Sequence, residues 1–303
     1  EIRHVNGNSA EGLDLSDTFG YHSWKVQELV SGVSSGQIRL PDIQRPFVWS
    51  NSKVRDLIDS MYHGFPVGQL MFWVSSDDSR SRAIGPTGKT QAGTMQVIDG
   101  QQRLTSLYAV VEGVEVLRED YSQERIVVAF NPLTERFAIP DSAIRRSSEW
   151  IQDIRDVFDD PIEARHAYIQ KLRASRSGEA TEPDLEQPID ERSIELTLGK
   201  LASVLKYEFQ VVQLKDQVHR ETVADVFVRI NSEGVKLSST DFILTWLSVF
   251  WEEGRQELED FARASRFTAQ EMSRLTKQPV TWTPQNPYLT LDPGQVLRVV
   301  VAV

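Results

Sequence analysis

The chain has 303 residues, 40% of them hydrophobic and seven of them Trp, more than one compact core usually holds, so one large domain with an added helical part, or two domains, is expected. Its 33 Lys and Arg stand against 44 Asp and Glu, a net charge of -11, which excludes a general nucleic-acid adhesive and leaves room only for a local basic groove. The absence of Cys rules out disulfides, thiolate catalysis and Cys-ligated zinc and fits a reducing cytoplasm, and no apolar run reaches the length of a membrane span.

Residues 1–22 are polar and irregular and hold no signal-peptide core. The opening on Glu1 and the apolar close VLRVVVAV both read as cuts from something longer. Trp24, Val26, Leu29 and Val30 predict a short helix, ended by SGVSSG, after which IRLPDIQRPFVW is extended and punctuated by Pro41 and Pro46. Ser50 caps a further helix, in which Val54, Leu57, Ile58 and Met61 fall on one face and Lys53, Arg55, Asp56 and Asp59 on the other, ending near Gly64. GQLMFWV, after Pro66, reads as a buried strand. Residues 75–94 form a polar loop. Within it AIGPTGKT, residues 83–90, fits a relaxed phosphate-loop pattern with Lys89 and Thr90, but no strand enters it and no helix leaves it, so a solvated loop is the better reading.

Residues 97–111, VIDGQQRLTSLYAVV, organise the chain. Met95, Val97 and Ile98 suit a buried strand, Gly100 permits a turn a side chain would forbid, and Leu104, Leu107, Tyr108 and Val111 repeat at helical spacing. The helix would open with Gln101, Gln102 and Arg103, where free N–H groups and the helix dipole favour an anion. Two amides and a guanidinium are poor packing choices and good ones for phosphate oxygens and a base edge. The plainer alternative makes Asp99 only a helix cap and Arg103 only a solvated surface charge.

RIVVAF and RFAI flank NPLTE as the arms of a hairpin. Trp150, Ile151, Ile154, Val157 and Phe158 mark one helix and residues 162–175 another, whose Arg165, Lys171 and Arg173 read most simply as a solvated face. SGEATEPDLEQP is a linker, residues 190–206 make a further helix, and YEFQVVQL, residues 207–214, returns to the sheet as a strand. In ETVADVFVRINSEGVKLSSTDFILTWL, Val223, Val226, Phe227 and Ile230 give a helical core face, with Arg229 and Asn231 off it near the helix end and Gly234 as its stop. Asn231 could equally be a helix-terminating residue and nothing more. Residues 255–303 read as helical and interrupted by Trp and Pro.

Three segments, IQRPFVW (43–49), VIDGQQRLTSL (97–107) and FVRINSEGVKLSSTDF (227–242), in this order, resemble the amino-terminal domain of GmrSD-type modification-dependent restriction enzymes, also known as domain-of-unknown-function family 262. The resemblance spans roughly residues 20–250. It implies an α/β (α+β) fold, a ParB/sulfiredoxin-like mixed-sheet core over residues 20–215 with a helical insertion at about 145–206, then a helical region, 216–303, that continues toward a nuclease part. It implies a magnesium-dependent nucleoside triphosphatase, with GTP among the candidate substrates, in a cytoplasmic antiviral restriction system. The implied partners are modified DNA, glucosylated or phosphorothioated, and a carboxy-terminal or separate His-Asn-His-type nuclease; homo-oligomerisation is compatible and a membrane is not expected.

Carried over by residue, the resemblance gives Asp99, Gln101, Gln102 and Arg103 catalytic roles: Arg103 neutralises developing phosphate charge, the glutamines position water or nucleotide, and Asp99 holds magnesium through water. Gln44, Arg45, Gly100, Arg229 and Asn231 would bind nucleotide, and Asn231 would join Asp99 at the metal. The five His, at 4, 22, 63, 166 and 219, form no metal-finger nuclease arrangement, so DNA cutting is not expected of this chain. Two other classes stay open. One is a ParB-type nucleotide- or DNA-binding clamp that does not hydrolyse. The other is a toxin–antitoxin or scaffold component that keeps the fold alone.

Overall fold

The computed structural model describes residues 18–39, 47–75, 94–118, 122–179, 189–215, 251–276 and 278–286, with single positions and pairs between 218 and 247 and beyond 286. A mixed five-stranded sheet forms the centre, from β1 (Phe19–Lys25), β2 (Ile38–Arg39), β3 (Leu70–Ser75), β4 (Thr94–Asp99) and β9 (Glu208–Leu214), in the order β1-β9-β3-β4-β2. Pairing is antiparallel for β1–β9 and β3–β4 and parallel for β9–β3 and β4–β2. This is the mixed α/β architecture that the resemblance implies.

Helices α1 (Val26–Ser34), α2 (Asn51–Tyr62) and α3 (Gln101–Glu112) belong to the layer on one face. There Leu70, Phe72, Met95, Val97, Phe209 and Val211 share a core with Val26, Leu29, Val54, Ile58, Leu104 and Leu107. Successive strand residues point to opposite faces, so Met71, Trp73, Ile98, Val212 and Leu214 form a second cluster. It is covered by Val223, Val226 and Ile230, three of the four residues of the helical face read from the sequence; Phe227, the fourth, lies outside the described residues. Ser50 caps α2, accepting from the Lys53 N–H at 3.3 Å.

Beyond α3 come two hairpins, β5 (Glu115–Leu117) with β6 (Gln123–Arg125) and β7 (Ala129–Asn131) with β8 (Arg136–Ala138). The second contains the arms expected around NPLTE, although Arg125 belongs to the first. Then follow α4 (Ser142–Arg146), α5 (Arg155–Asp159), α6 (Pro161–Glu179), α7 (Glu191–Ala202) and a 3-10 turn, Ser203–Lys206. Ile154, Tyr168, Leu172, Ile194 and Leu198 from this part join the same core as the sheet. Two further helices, Glu252–Ala264 and Ala269–Thr276, lie in the region expected to be helical.

Two expectations are corrected. Residues 19–25, read as irregular chain leading into a helix, form edge strand β1. Its Tyr21, His22 and Ser23 are exposed, so the apolar alternation that marks a strand is missing, and β9, its partner, lies far along the chain. The helix expected over Trp150–Phe158 is confined to Arg155–Asp159. Ile151 instead exchanges backbone hydrogen bonds with Phe130, at 2.8 and 2.9 Å, because a third extended segment satisfies the outer edge of β7. Of the expected linker, residues 177–179 continue helix α6, while residues 180–188 and the loop with Lys89 and Thr90 lie outside the described residues.

Candidate functional site

The site is built at the carboxyl end of β4. Gly100 sits at φ 87 and is the N-cap of α3, so the strand turns into the helix within one residue. A side chain there would be strained by the backbone and would overlap Leu70 in the core. The cap carries no side-chain oxygen, so the first-turn N–H groups of α3 keep their positive end free of a side-chain cap. Asp99 is therefore not the cap, which removes the first half of the plainer reading.

Arg103 removes the second half. Its side chain is 17% exposed and folds back over the turn, donating to Asp99 Oδ2 at 3.0 Å through Nη2 and to the Val67 carbonyl at 3.0 Å through Nη1. Gly68, at φ 88, leaves the space the guanidinium fills; a Cβ at that position would overlap Nη1. The Asp99 carboxylate is 32% exposed, and Oδ1 accepts from none of the described residues.

The two glutamines are held with opposite polarity. Gln101 donates through Nε2 to the Val97 carbonyl at 3.2 Å, and a carbonyl can only accept, so the free end of Gln101 is its oxygen. Gln102 accepts through Oε1 from the Val48 N–H at 3.2 Å, and an N–H can only donate, so the free end of Gln102 is its NH2 group. Adjacent residues of one type thus offer an acceptor and a donor. The Ser106 hydroxyl donates to the Gln102 carbonyl at 2.6 Å within the same helix.

Gln44, Arg45 and Asn231 lie outside the described residues. The chain on either side of the first two is described: Arg39 ends β2 beside Gln96 of β4, and Val48 is the residue bonded to Gln102. Arg229 is exposed on the helical run before Asn231, and its neighbour Ile230 packs in the cluster that contains Ile98, the residue before Asp99. Sequence reasoning missed Gly68, Val67 and Val48, whose contributions are backbone groups and space. The one signal available was the Pro66-Val67-Gly68 turn before a buried strand. Among the described residues no three His, Asp or Glu side chains gather as a metal cage, and no helix is long and apolar enough to cross a membrane.

A relative in Methanocaldococcus jannaschii, the uncharacterized protein MJ0686, is 24% identical over 237 residues, which cover 72% of this chain. The matched part spans 40% of that relative's length. The family model of the GmrSD restriction endonuclease N-terminal domain matches residues 26–248, from α1 past the helical run that covers the second sheet face, and includes every residue of the site just described. The chain therefore belongs to the family of GmrSD restriction endonuclease N-terminal domains.

Proposed function

We propose that this domain is a magnesium-dependent nucleoside triphosphatase that senses modified DNA, glucosylated or phosphorothioated, in a phage-defence restriction system, and licenses a nuclease located elsewhere. The observation that carries the reading is the junction after β4, where Asp99 and Arg103 pair across the Gly100 turn at the start of a helix without a side-chain cap, with Gln101 and Gln102 in its first turn. Backbone N–H groups and the Gln102 amide would donate to phosphate oxygens. Arg103, partly withdrawn from water, would oppose the charge that builds on the transferring phosphoryl group.

The donor set fits magnesium, which is held by one or two carboxylates plus substrate phosphates and water rather than by a protein cage. Asp99 Oδ1 would face the ion, with Asn231 as a further oxygen ligand. Magnesium, when bound, would neutralise phosphate charge and orient the triphosphate. The free oxygen of Gln101 can accept a hydrogen bond from an attacking water. Arg45, Gln44 and Arg229 would complete the nucleotide contacts.

Phosphate release measured with each of the four ribonucleotides and magnesium tests the proposal. Turnover of at least one nucleotide, lost in Arg103→Ala, is expected; unchanged turnover in that variant discards the assignment. A non-hydrolysing clamp of ParB type is the second reading, favoured by the existing Asp99–Arg103 pair, which, with the Val67 carbonyl, engages the guanidinium without a substrate. Nucleotide binding with no phosphate release by the wild type would establish it. DNA binding is to be compared on modified and plain duplexes across salt, since backbone affinity falls steeply with ionic strength.

A further inference from the structure

Arg118, directly after β5, has a side chain 17% exposed and distributes its guanidinium over one short segment. Nε donates to Glu124 Oε2 at 2.6 Å, Nη1 donates to the Trp49 carbonyl at 2.6 Å and the Phe47 carbonyl at 3.4 Å, and Nη2 donates to Asn51 Oδ1. Asn51 closes the ring by donating to Glu124 Oε1 at 2.6 Å. Phe47 is buried beneath the guanidinium, 5.1 Å from it, and its N–H donates to the Leu117 carbonyl at 2.6 Å. The residues on both sides of Val48 are thus fixed to the β5–β6 hairpin.

Val48 itself has no such anchor. The residue is 58% exposed, so packing does not decide where its backbone lies. Its N–H nevertheless meets Gln102 Oε1 at 3.2 Å, and that bond determines which end of the Gln102 amide faces outward. The position of this N–H is set by Phe47 and Trp49, and therefore by Arg118.

We propose that Arg118 is a positioning residue for the nucleotide site, acting through the Phe47–Trp49 backbone to keep the Gln102 amide with its NH2 group turned outward. The proposal rests on the nucleotide reading above. A role confined to joining α2 to the hairpin would make no difference to Gln102.

The test is a double-mutant cycle in the chain as it stands. Arg118→Met is combined with Glu124→Gln, so that no carboxylate is stranded, and this pair is placed in the wild-type and Gln102→Ala backgrounds. The pair should lower nucleotide turnover about tenfold where Gln102 is present and have little effect in Gln102→Ala. Hydrogen exchange at the Val48 amide should accelerate about tenfold, with the amides of Leu104–Ala109 still protected. Equal fold losses of turnover in both backgrounds, or unchanged Val48 protection, overturn the proposal and leave the nucleotide reading intact. A wild type inactive on every nucleotide overturns both. If the paired variant does not fold, Arg118→Lys, which keeps the charge and loses the fork, goes through the same cycle under the same criteria.

Discussion

Arg103 and Asp99, four residues apart across the Gly100 turn, form an ion pair at 3.0 Å whose arginine also reaches the Val67 carbonyl before β3. One side chain thereby ties the end of β4, the start of α3 and the entry to β3 at the point where a ligand would meet the helix terminus. Fixed donors cost less to organise around a substrate than mobile ones, which favours this corner as a binding site.

Gly68→Ala should weaken this corner in two ways at once. The residue would have to adopt φ 88 and would overlap the Arg103 guanidinium. A loss of about 1–3 kcal/mol of stability is expected, together with weaker nucleotide binding. Gly36→Ala is the comparison, since φ there is 77 but the space is open, and it should cost about 1–2 kcal/mol with binding unchanged. Denaturant melts and nucleotide titrations of the two variants, side by side, decide the matter; equal binding by both would remove Gly68 from the site.

Gln102→Glu isolates amide polarity. The carboxylate still accepts from the Val48 N–H, while the outward NH2 group becomes a negatively charged oxygen. Nucleotide affinity should fall by about tenfold or more, since like charges at contact distance are worth several times RT in a partly shielded site, and Tm should move little. Titration by calorimetry would show it. Undiminished affinity would mean that Gln102 does not face phosphate.

Phe72 is completely buried and its ring lies 5.9 Å from that of Trp24, between β3 and the helical layer. Phe72→Ala should destabilise the fold by about 3–5 kcal/mol. An urea midpoint close to that of the wild type would contradict the packing of this face.

Glu135, in the β7–β8 turn, accepts from the Tyr62 hydroxyl at 2.7 Å and from Lys200 at 2.9 Å, and these bonds, with Tyr62 first, hold its carboxyl below the usual range. A depressed carboxylate contributes stability above its unfolded pKa and loses it as pH falls through the folded one. Glu135→Gln should therefore lower stability at pH 7 and converge on the wild type in acid. The side chain is 45% exposed, so the difference should stay below about 1 kcal/mol. Chemical melts at pH 7 and pH 3 measure it; a constant gap would reject the linkage.

Asp156 shows the opposite sign. Desolvation, then the nearby Asp153 and Asp159, raise its carboxyl above the ordinary value. Its ionised form costs stability once pH exceeds the unfolded pKa. Asp156→Asn should thus raise Tm slightly at pH 7, and the gain should vanish in acid; a lower Tm at pH 7 would show that its charge at the start of α5 matters more.

The amino-acid sequence by itself determined the elements whose signals are local. The α2 helix, buried strands β3 and β9, the Gly100 turn and the polar first turn of α3 were legible because apolar spacing, a cap or a glycine writes each of them within a few residues. Family membership was legible for the same reason, from three short segments in order. Only the tertiary structure decided that residues 19–25 are a strand, because an edge strand with one wet face takes its register from a partner far along the chain. It alone decided that Arg103 rests on Asp99 and the Val67 carbonyl, that Gln101 and Gln102 are bonded through opposite ends of their amides, and that Arg118 holds the carbonyls on both sides of Val48. Apart from the Arg103–Asp99 pair, those relationships run through backbone carbonyls and N–H groups, which every residue carries alike, so the identities of the side chains along the chain do not encode them.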